Sequence, residues 1–257
     1  MNIHTIILAA GKGTRMNTNL PKVMQPLGGH TLISHVIKTA KKNSKNITVV
    51  VGYQKDLLKE HIASIDSNIQ TADQDDQLGT AHAVKTAAHL IKEDERVLVL
   101  YGDVPLISHK TIEALIKSGQ ECTLLAMKLA DPTGYGRIVT NEQNLALRII
   151  EQKDASEDER KIQDVFTGIL LIDGGLLRSA LDEINNQNAA KEYYLTDLVE
   201  ILSTKGVKIN CIQADPTEVL GANNKYELHE LESILRKMSA EKLLEQGITL
   251  LDATRVD

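Results

Sequence analysis

The strongest chemical signal is a glycine-containing stretch that directly follows a short apolar run near the amino terminus. It reads Leu8-Ala9-Ala10-Gly11-Lys12-Gly13-Thr14-Arg15-Met16, and Lys22 follows shortly after it. Glycines in a loop after a strand let backbone N–H groups approach phosphate oxygens, which a Cβ atom would block. Arg15 and Lys22 add positive charge, so the stretch predicts a polyphosphate site. Taken alone, it is equally typical of a tight strand-to-helix turn with surface cations.

Spacing excludes two familiar nucleotide-binding patterns at this loop. A dinucleotide fingerprint needs a third glycine where Met16 stands, and a Walker loop needs a glycine where Ile6 stands. The loop therefore predicts a phosphate site of another kind.

A second signal, Tyr101-Gly102-Asp103, ends an apolar run. Ligands of open α/β sheets lie beyond the carboxyl ends of the strands, so a carboxylate there is well placed to hold a divalent cation. Considered alone, an acidic residue at this position is more often a helix cap or a turn former.

Amide and hydroxyl side chains form a third, weaker signal. Gln74 precedes a loop at Gln77–Thr80 that opens a helix, and an amide beside a helix N-terminus can recognise a base edge or an oxyanion. Further polar loops could provide partners for sugar hydroxyls, although each is also typical of an ordinary turn: Gly134-Tyr135-Gly136-Arg137, Glu151, Glu192-Tyr193-Tyr194-Leu195-Thr196-Asp197 and Gly221-Ala222-Asn223-Asn224.

Composition excludes several function classes. The formal net charge is −6 and aromatic residues make up 3% of the chain, so neither a basic footprint nor stacking platforms for nucleic acid are present. The eight histidines and two cysteines have no metal-ligand spacing, and no Gly-x-Ser-x-Gly elbow occurs. The apolar runs are too short to span a bilayer, and the amino terminus does not resemble a signal peptide. Lone Cys122 and Cys211 suit a reducing compartment, so we expect a cytoplasmic protein with no membrane partner.

The elements that position these residues follow an alternating pattern. Strand-like runs at 4–9, 47–51 and 97–101 alternate with helical patterns at 31–42, 55–62 and 80–91, which predicts a parallel sheet with crossover helices. Ser108 is predicted to cap a helix that runs towards Lys117. Strand-like runs at 123–129, 137–140, 146–151 and 166–172 predict a partly antiparallel insertion, and a helix at 195–202 and a strand at 207–212 follow.

The carboxyl-terminal part has a different pattern. From Asn224 to about Glu245 the chain contains neither glycine nor proline, and leucines recur at helical spacing. The pattern predicts a long amphipathic helix that serves as an arm or linker outside the sheet.

Seven segments, taken in order, resemble a known enzyme family. LAAGKGTRM, PKV, QLGTAHA, YGDVPL, DPTGYGRI, EYYLTD and GANN closely resemble the sugar-1-phosphate nucleotidylyltransferases. More narrowly, they resemble the N-terminal uridyltransferase domain of the bifunctional bacterial enzymes that make UDP-N-acetylglucosamine. The resemblance covers essentially the whole chain. It implies an α/β fold with a Rossmann-like mixed, mostly parallel sheet of the nucleotide-diphospho-sugar transferase type, a small antiparallel insertion and a long C-terminal helical arm.

The resemblance also implies site residues. Arg15 and Lys22 are the implied catalytic residues, which would hold the UTP phosphates together with the glycine loop. The implied substrate-binding set is Leu8, Ala9, Ala10, Gly11, Gly13, Lys22, Gln74, Gly79, Thr80, Tyr101, Gly102, Asp103, Gly136, Glu151, Phe166, Thr196 and Asn223.

Within that set the implied roles divide by substrate group. Gln74, Gly79 and Thr80 would recognise uracil, and Asp103 with Asn223 would hold a catalytic Mg²⁺. In the same way, Gly136, Glu151 and Thr196 would contact the sugar and its acetamido group.

The implied reaction transfers UMP from UTP to N-acetylglucosamine 1-phosphate. Its products are UDP-N-acetylglucosamine and pyrophosphate, for peptidoglycan and lipopolysaccharide precursor synthesis. The implied organisation is a nucleotidyltransferase domain at 1–223, a linker helix at 224–246 and, at 247–257, the start of a left-handed β-helix acetyltransferase domain. We expect that the sequence stops where that domain begins, that it carries no acetyltransferase activity, and that a homotrimer forms only with the missing domain.

One residue departs from the family pattern. Phe166 stands before Thr167-Gly168, where the family usually has an asparagine that contacts the sugar. Either the ring turns into the core, or sugar specificity differs, or the residue is an engineered substitution. The same chemistry on another sugar 1-phosphate or nucleotide therefore remains an alternative. A non-catalytic nucleotide-sugar sensor is a further one.

Overall fold

A computed structural model describes residues 2–255 of the chain. Its strands are β1 (Ile3–Leu8), β2 (Pro26–Leu27), β3 (His30–Thr31), β4 (Asn46–Val51), β5 (Gln70–Asp73), β6 (Arg96–Tyr101), β7 (Cys122–Lys128), β8 (Arg137–Thr140), β9 (Ala146–Ile150), β10 (Asp164–Asp173) and β11 (Ile209–Gln213). Its α-helices are α1 (Leu32–Lys41), α2 (Lys55–Ile65), α3 (Thr80–Ala87), α4 (His109–Lys117), α5 (Gly174–Leu181), α6 (Asp197–Thr204) and α7 (Lys225–Glu245). Short 3-10 turns join several of them.

In the described part of the chain the main sheet is mixed, and six of its nine strands have a parallel neighbour. Its order is β11-β7-β10-β6-β1-β4-β5, with β1, β4, β5 and β6 forming one parallel block and β11 parallel to β7. Strand β10 is antiparallel to both β6 and β7, and the β8–β9 hairpin extends from β10. The predicted α/β class is confirmed, although the antiparallel part enters the middle of the sheet.

Burial on both faces explains why these strands form the centre of the molecule. Every residue of β1 is buried, and Leu170–Ile172 in β10 are completely buried. Two large apolar clusters cover the two faces of the sheet, as expected when helices pack on both sides of parallel strands. A continuous apolar run without alternation is the sequence pattern that such double burial requires.

Hydroxyl caps set the beginnings of two helices. Ser108 Oγ accepts a hydrogen bond from the backbone N–H of Thr111 at the start of α4, which confirms the predicted cap. Thr31 Oγ1 accepts from the backbone N–H of Ser34 in the same way at the start of α1. Each cap satisfies one of the N–H groups that a helix end leaves without a partner.

Strand β5, the β2–β3 hairpin and α5 were not predicted from the sequence. Strand β5 lies at the sheet edge and buries only Ala72, so it has no apolar run to detect. Helix α5 begins with Gly174-Gly175, which in sequence indicates a loop. Gly174 is required by close packing, because a Cβ atom there would lie 2.5 Å from Lys92 O.

Helix α7 begins on the body of the protein. Asn224 caps it, and Leu231 packs in a small third apolar cluster with Met16 and Leu27. Leu235 also contacts the body, since a Cβ atom on Gly28 would lie 2.5 Å from its Cδ2. The first half of α7 is therefore docked rather than projecting, and the helix ends at Glu245 as predicted. The last two residues of the segment predicted at 247–257 lie outside the described residues.

Within residues 2–255, no helix is both long enough and apolar enough to cross a membrane. Cys122 and Cys211 are free thiols on the neighbouring strands β7 and β11.

Candidate active site

The glycine loop leaves the sheet at the carboxyl end of β1. Its first residues stay bonded to both neighbouring strands, because Ala9 N donates to Val50 O at 2.9 Å and Gly102 N donates to Leu8 O at 2.9 Å. Strands β1 and β6 also pair Leu8 with Tyr101. Two loops, one carrying the glycines and the other carrying Asp103, therefore begin side by side.

Beyond Ala10 the backbone turns sharply. Gly13 has a φ of +63°, and a Cβ atom there would lie 2.5 Å from Lys22 Cβ. A 3-10 turn follows at Thr14–Met16, where the completely buried Met16 anchors the loop and Arg15 stays exposed. The conformation needs a glycine at position 13 and brings Lys22 against the loop.

Lys22 joins the two carboxyl-end loops to a third segment. Its Nζ donates to Asp103 Oδ2, and it donates to Asn223 Oδ1 at 3.0 Å. The side chains of Lys22 and Asp103 are only 17% and 14% exposed, so solvent screens this ion pair weakly. One cation is thus held between a carboxylate and an amide oxygen.

The backbone before α7 brings Asn223 to this place. Ala222 N donates to Asp103 O at 3.3 Å. Glu227 orients Asn223, because its Oε2 accepts from Asn223 N at 2.7 Å and from Asn223 Nδ2 at 3.0 Å. Glu227 was not predicted from the sequence, although Asn224 and Glu227 have the spacing of a capping box, which could have revealed it.

The oxygens of Asp103 and Asn223 have the chemistry that a magnesium ion requires. Mg²⁺ in proteins usually takes one or two side-chain oxygens, and phosphates and waters complete its shell. Among the described residues, no group of three or more His, Cys, Asp or Glu side chains could hold a metal ion. The donor set therefore fits a metal that shares its ligands with a bound polyphosphate.

A cleft of about 450 Å³ lies next to this constellation. Gln77 and Glu192, which were not in the predicted set, line this cleft. The predicted residues that line it are Leu8, Ala9, Ala10, Gly11, Lys22, Gln74, Gly79, Thr80, Tyr101, Asp103 and Asn223. Gln77 Nε2 donates to Ala10 O at 2.8 Å and so connects the glycine loop to the loop before α3.

The loop before α3 is fixed on both sides. Gly79 has a φ of +119°, and a Cβ atom there would lie 2.4 Å from Tyr193 O, so position 79 requires glycine. Tyr193 N donates to Leu78 O at 2.8 Å, and Ala81 N donates to Tyr193 O at 2.9 Å. Leu195 N also donates to Thr80 Oγ1 at 3.0 Å. We call this pair of segments, 78–81 with 193–195, the loop clamp.

Gln74 is buried at the inner wall of the cleft. Its Nε2 lies 3.1 Å from both Gly79 O and His82 Nδ1.

Tyr101 lines the cleft beside Asp103. Its ring packs on Gly168, whose φ is +88° and whose Cβ position would lie 2.4 Å from Tyr101 Cε2. Burial, and then the negative charges of Asp103 and Glu151, raise the pKa of the Tyr101 phenol well above its usual range. The phenol therefore stays neutral at physiological pH.

The predicted sugar residues Glu151 and Thr196 contact each other. Thr196 Oγ1 donates to Glu151 Oε1 at 3.1 Å, and Gly136 packs beside Glu151 and Ile149. Burial raises the pKa of the Glu151 carboxyl. None of these three predicted residues lines the 450 Å³ cleft, and Glu151 lines a neighbouring acidic cavity of about 540 Å³.

Two other predicted residues lie apart from the cleft. Arg15 lines a separate cavity of about 470 Å³, which also reaches Asp103 and Asn223. Phe166 is 6% exposed and packs in an apolar cluster on the sheet, so its ring turns into the core. Its backbone N donates to Gly136 O at 2.9 Å. Thr167, the next residue, lines the Arg15 cavity.

Comparison with known proteins places this site in a family context. Residues 5–165 match the family described as "MobA-like NTP transferase domain". The whole chain is 43% identical to the "Bifunctional protein GlmU" of Idiomarina loihiensis and 44% identical to that of Hydrogenovibrio crunogenus. In both alignments it spans 57% of the relative's length.

A solved structure shares the fold. The UDP-glucose pyrophosphorylase complexed with UDP-glucose superposes with a TM-score of 0.72, over 93% of this chain and 100% of that one. Sequence identity is 17%, so the likeness concerns the fold.

Proposed function

The chain belongs to the MobA-like NTP transferase domain family, and from that premise we propose that it transfers UMP from UTP to N-acetylglucosamine 1-phosphate. The products are UDP-N-acetylglucosamine and pyrophosphate. The ordered motifs support this assignment, as does the likeness of the whole chain to proteins called bifunctional GlmU.

One observation carries the proposal. Lys22, Asp103 and Asn223 come from three distant segments and converge at one wall of a cleft that also contains the glycine loop. A site that only bound a neutral ligand would not need a partly buried cation and two cation-binding oxygens beside a loop suited to phosphate. The arrangement favours chemistry at a polyphosphate.

The proposed reaction is an in-line displacement at phosphorus. An oxygen of the sugar phosphate attacks the α-phosphorus of UTP, the bond to the bridging oxygen breaks, and pyrophosphate leaves. The attacking phosphate is already an anion, so no side chain has to remove a proton. The barrier is mainly charge repulsion and alignment, which fixed positive groups lower.

Different residues of the chain would provide the alignment and the charge neutralisation. Backbone N–H groups of the glycine loop would orient the phosphates, and Lys22 and Arg15 would neutralise charge on the leaving pyrophosphate. Mg²⁺, held by Asp103 and Asn223 when bound, would supply further charge neutralisation and alignment of the reacting phosphates. Glu151 and Thr196 would accept and donate hydrogen bonds to the sugar.

The proposal extends to the longer protein whose N-terminal part this chain resembles. In a longer protein, residues 224–246 would lead to an acetyltransferase domain that begins near 247, and trimers would form through that domain. The product would serve peptidoglycan and lipopolysaccharide precursor synthesis in the cytoplasm. The free thiols of Cys122 and Cys211 agree with that reducing compartment.

The test is pyrophosphate release from the purified chain with Mg²⁺. UTP, dTTP, CTP and ATP are each combined with the 1-phosphates of N-acetylglucosamine, glucose and N-acetylgalactosamine. We expect release confined to UTP with N-acetylglucosamine 1-phosphate. Release with another sugar only would move the substrate assignment. No pyrophosphate release with any pair of substrates, together with intact UDP-sugar binding, would contradict the proposal and favour a sensor.

A further inference from the structure

The amide of Asn223 has a single orientation that satisfies its neighbours. Lys22 Nζ can only donate, so Asn223 Oδ1 must face it, and the two atoms lie 3.0 Å apart. On the other side Glu227 Oε2 accepts from Asn223 Nδ2 at 3.0 Å, because a carboxylate has only acceptor oxygens. Turning the amide over would set two donors against each other at Lys22 and two acceptors against each other at Glu227. The two partners therefore impose the same orientation.

Glu227 also fixes the backbone beside that amide. The same Oε2 accepts from Asn223 N at 2.7 Å. One carboxylate oxygen thus receives both a backbone and a side-chain N–H group of Asn223, so the side chain cannot rotate away without losing a charge-assisted hydrogen bond. Glu227 consequently controls where Asn223 Oδ1 lies as well as which amide atom faces Lys22.

The Glu227 carboxylate is itself held in place. Its second oxygen accepts from Asn224 Nδ2 at 2.6 Å, and Asn224 Oδ1 accepts from Glu227 N at 2.9 Å. Lys225 anchors the same helical turn, since its Nζ donates to Gln25 Oε1 at 2.6 Å and Gln25 N donates to Lys22 O at 3.1 Å. The first turn of α7 is therefore fixed against the segment that carries Lys22, and Glu227 forms a rigid support for Asn223.

We propose that Glu227 is a positioning residue that sets the affinity of the site for a divalent cation by holding Asn223 Oδ1 towards the centre that it shares with Asp103. The inference rests on the proposed function, because it takes Asp103 and Asn223 as the pair of metal ligands. Without Glu227 the amide can rotate or present Nδ2, which is a donor and cannot ligate a cation. Hydrogen-bonded groups that orient metal ligands typically change metal affinity by about 10- to 100-fold.

Lys22 cannot provide this control together with a divalent cation. Its ammonium donates to both Asp103 and Asn223, the two side chains whose oxygens suit the metal. Two positive charges at that place repel each other, so the ammonium and the cation cannot both contact Asn223 Oδ1. Glu227 contacts Asn223 only through N–H groups, so its support is compatible with either cation.

Mn²⁺ binding measures this effect without turnover. Mn²⁺ is titrated into the chain saturated with UDP-N-acetylglucosamine, and free Mn²⁺ is followed by electron paramagnetic resonance. Glu227→Leu is expected to raise the Kd for Mn²⁺ about tenfold. Glu227→Gln should stay within about twofold of the native Kd, because the amide oxygen of glutamine can still accept from both N–H groups of Asn223. Glu230→Leu is the matched control and should not change the Kd: it removes an exposed carboxylate of the same helix, and Glu230 lines the same cavity as Glu227.

A double variant separates positioning from a general loss of negative charge. In an Asn223→Ala background, Glu227→Leu should leave the Kd for Mn²⁺ unchanged, because Glu227 acts through Asn223. A native Kd in the single Glu227→Leu variant would overturn the inference. An equal rise in Glu227→Gln and Glu227→Leu would also overturn it, since that result would indicate an effect of charge alone. Thermal melts confirm that each variant is folded.

The native chain separates this inference from the proposed function. A native complex that binds no Mn²⁺ would overturn the inference together with the metal assignment. Absence of pyrophosphate release by the native chain would instead refute the proposed function. Release by the native chain with an unchanged Kd for Mn²⁺ in Glu227→Leu would overturn the positioning role alone.

Discussion

Lys22 Nζ donates to Asp103 Oδ2 across a separation of 81 residues in the chain. The same ammonium reaches Asn223, which lies 201 residues from Lys22. Because the three side chains come from separate loops, their convergence is a property of the tertiary fold. It places a positive charge where two oxygens suited to a divalent cation already meet.

Asp103→Asn is expected to lower kcat by roughly a hundredfold or more, because it removes the only carboxylate of the proposed metal pair. The fold should tolerate the isosteric amide, although Tm should fall because Lys22 loses the charged partner of a weakly screened ion pair. Steady-state kinetics over a range of Mg²⁺ concentrations is the measurement. Asp94→Asn, in the exposed turn before β6, is the control. Near-normal turnover of Asp103→Asn at saturating Mg²⁺ would contradict the assignment of Asp103 as a metal ligand.

Gly11→Ala tests the approach of phosphate to the loop. Gly11 has no positive φ, and a Cβ atom there meets nothing within 4 Å, so the fold should accept the methyl group. A bound polyphosphate would occupy that space, and we expect KM for UTP to rise by about tenfold or more at unchanged Tm. Gly175→Ala, whose Cβ would make only an ordinary 3.9 Å contact with Glu93 O, should leave KM for UTP unchanged. An unaltered KM in Gly11→Ala would place the phosphates elsewhere.

Phe166 should behave as a core residue. Phe166→Leu is expected to lower the free energy of unfolding by about 1 kcal/mol, and Phe166→Asn by about 3 kcal/mol, because the latter also buries an amide. KM for the sugar phosphate should stay essentially constant in Phe166→Leu. Chemical denaturation and steady-state kinetics measure the two effects. A Phe166→Asn variant of native stability with a lower sugar KM would show that this side chain faces the sugar.

Asp197 should make the protein less stable as pH rises. Burial, followed by the charges of Glu151, Glu200 and Asp154, raises its pKa from 3.8 to about 6. Between these values the folded state binds more protons than the unfolded state, so stability falls as pH increases through that window. Asp197→Asn should raise Tm at pH 7 and flatten the profile between about pH 4 and 6.

A matched variant gives the opposite sign. Lys85 holds the pKa of the exposed Asp182 carboxyl below its usual range, so Asp182→Asn should bring no gain at pH 7. Thermal melts of both variants from pH 4 to 8 make the comparison. Equal Tm values for Asp197→Asn and the native chain at pH 7 would contradict the assigned burial effect.

Sequence patterns predicted strands that are buried along a continuous run and a helix start that is capped by a neighbouring residue. The apolar runs of β1 and β6 and the Ser108 cap could be predicted because each depends on neighbouring residues. The edge strand β5 could not, since it buries one residue. Helix α5 could not be predicted because it begins with two glycines. Packing against Lys92 O requires the first of them, Gly174.

The site was predictable as a set of residues and not as a geometry. The glycine loop and the strand end indicated Lys22 and Asp103, and the resemblance added Asn223 as the metal partner. No local pattern shows that Asp103 and Asn223 both accept a hydrogen bond from Lys22. The direction of the Phe166 side chain was also undetermined, because β10 changes register between Phe166 and Leu170 and simple alternation fails there.

The loop clamp has a consequence for how two ligands would influence each other. It joins the loop at Gly79 to the segment that leads directly into Thr196, the partner of Glu151. A base that orders the Gly79 side of the loop clamp would also restrict the Thr196 side. A sugar phosphate that binds there would then lose less conformational entropy. Thermodynamic linkage then makes the effect reciprocal: UTP would tighten binding of the sugar phosphate by the same factor as the sugar phosphate tightens binding of UTP. Cooperativity between the two substrates would thus follow from the three hydrogen bonds of the loop clamp, two between backbone groups and one to the Thr80 hydroxyl, without any contact between the ligands.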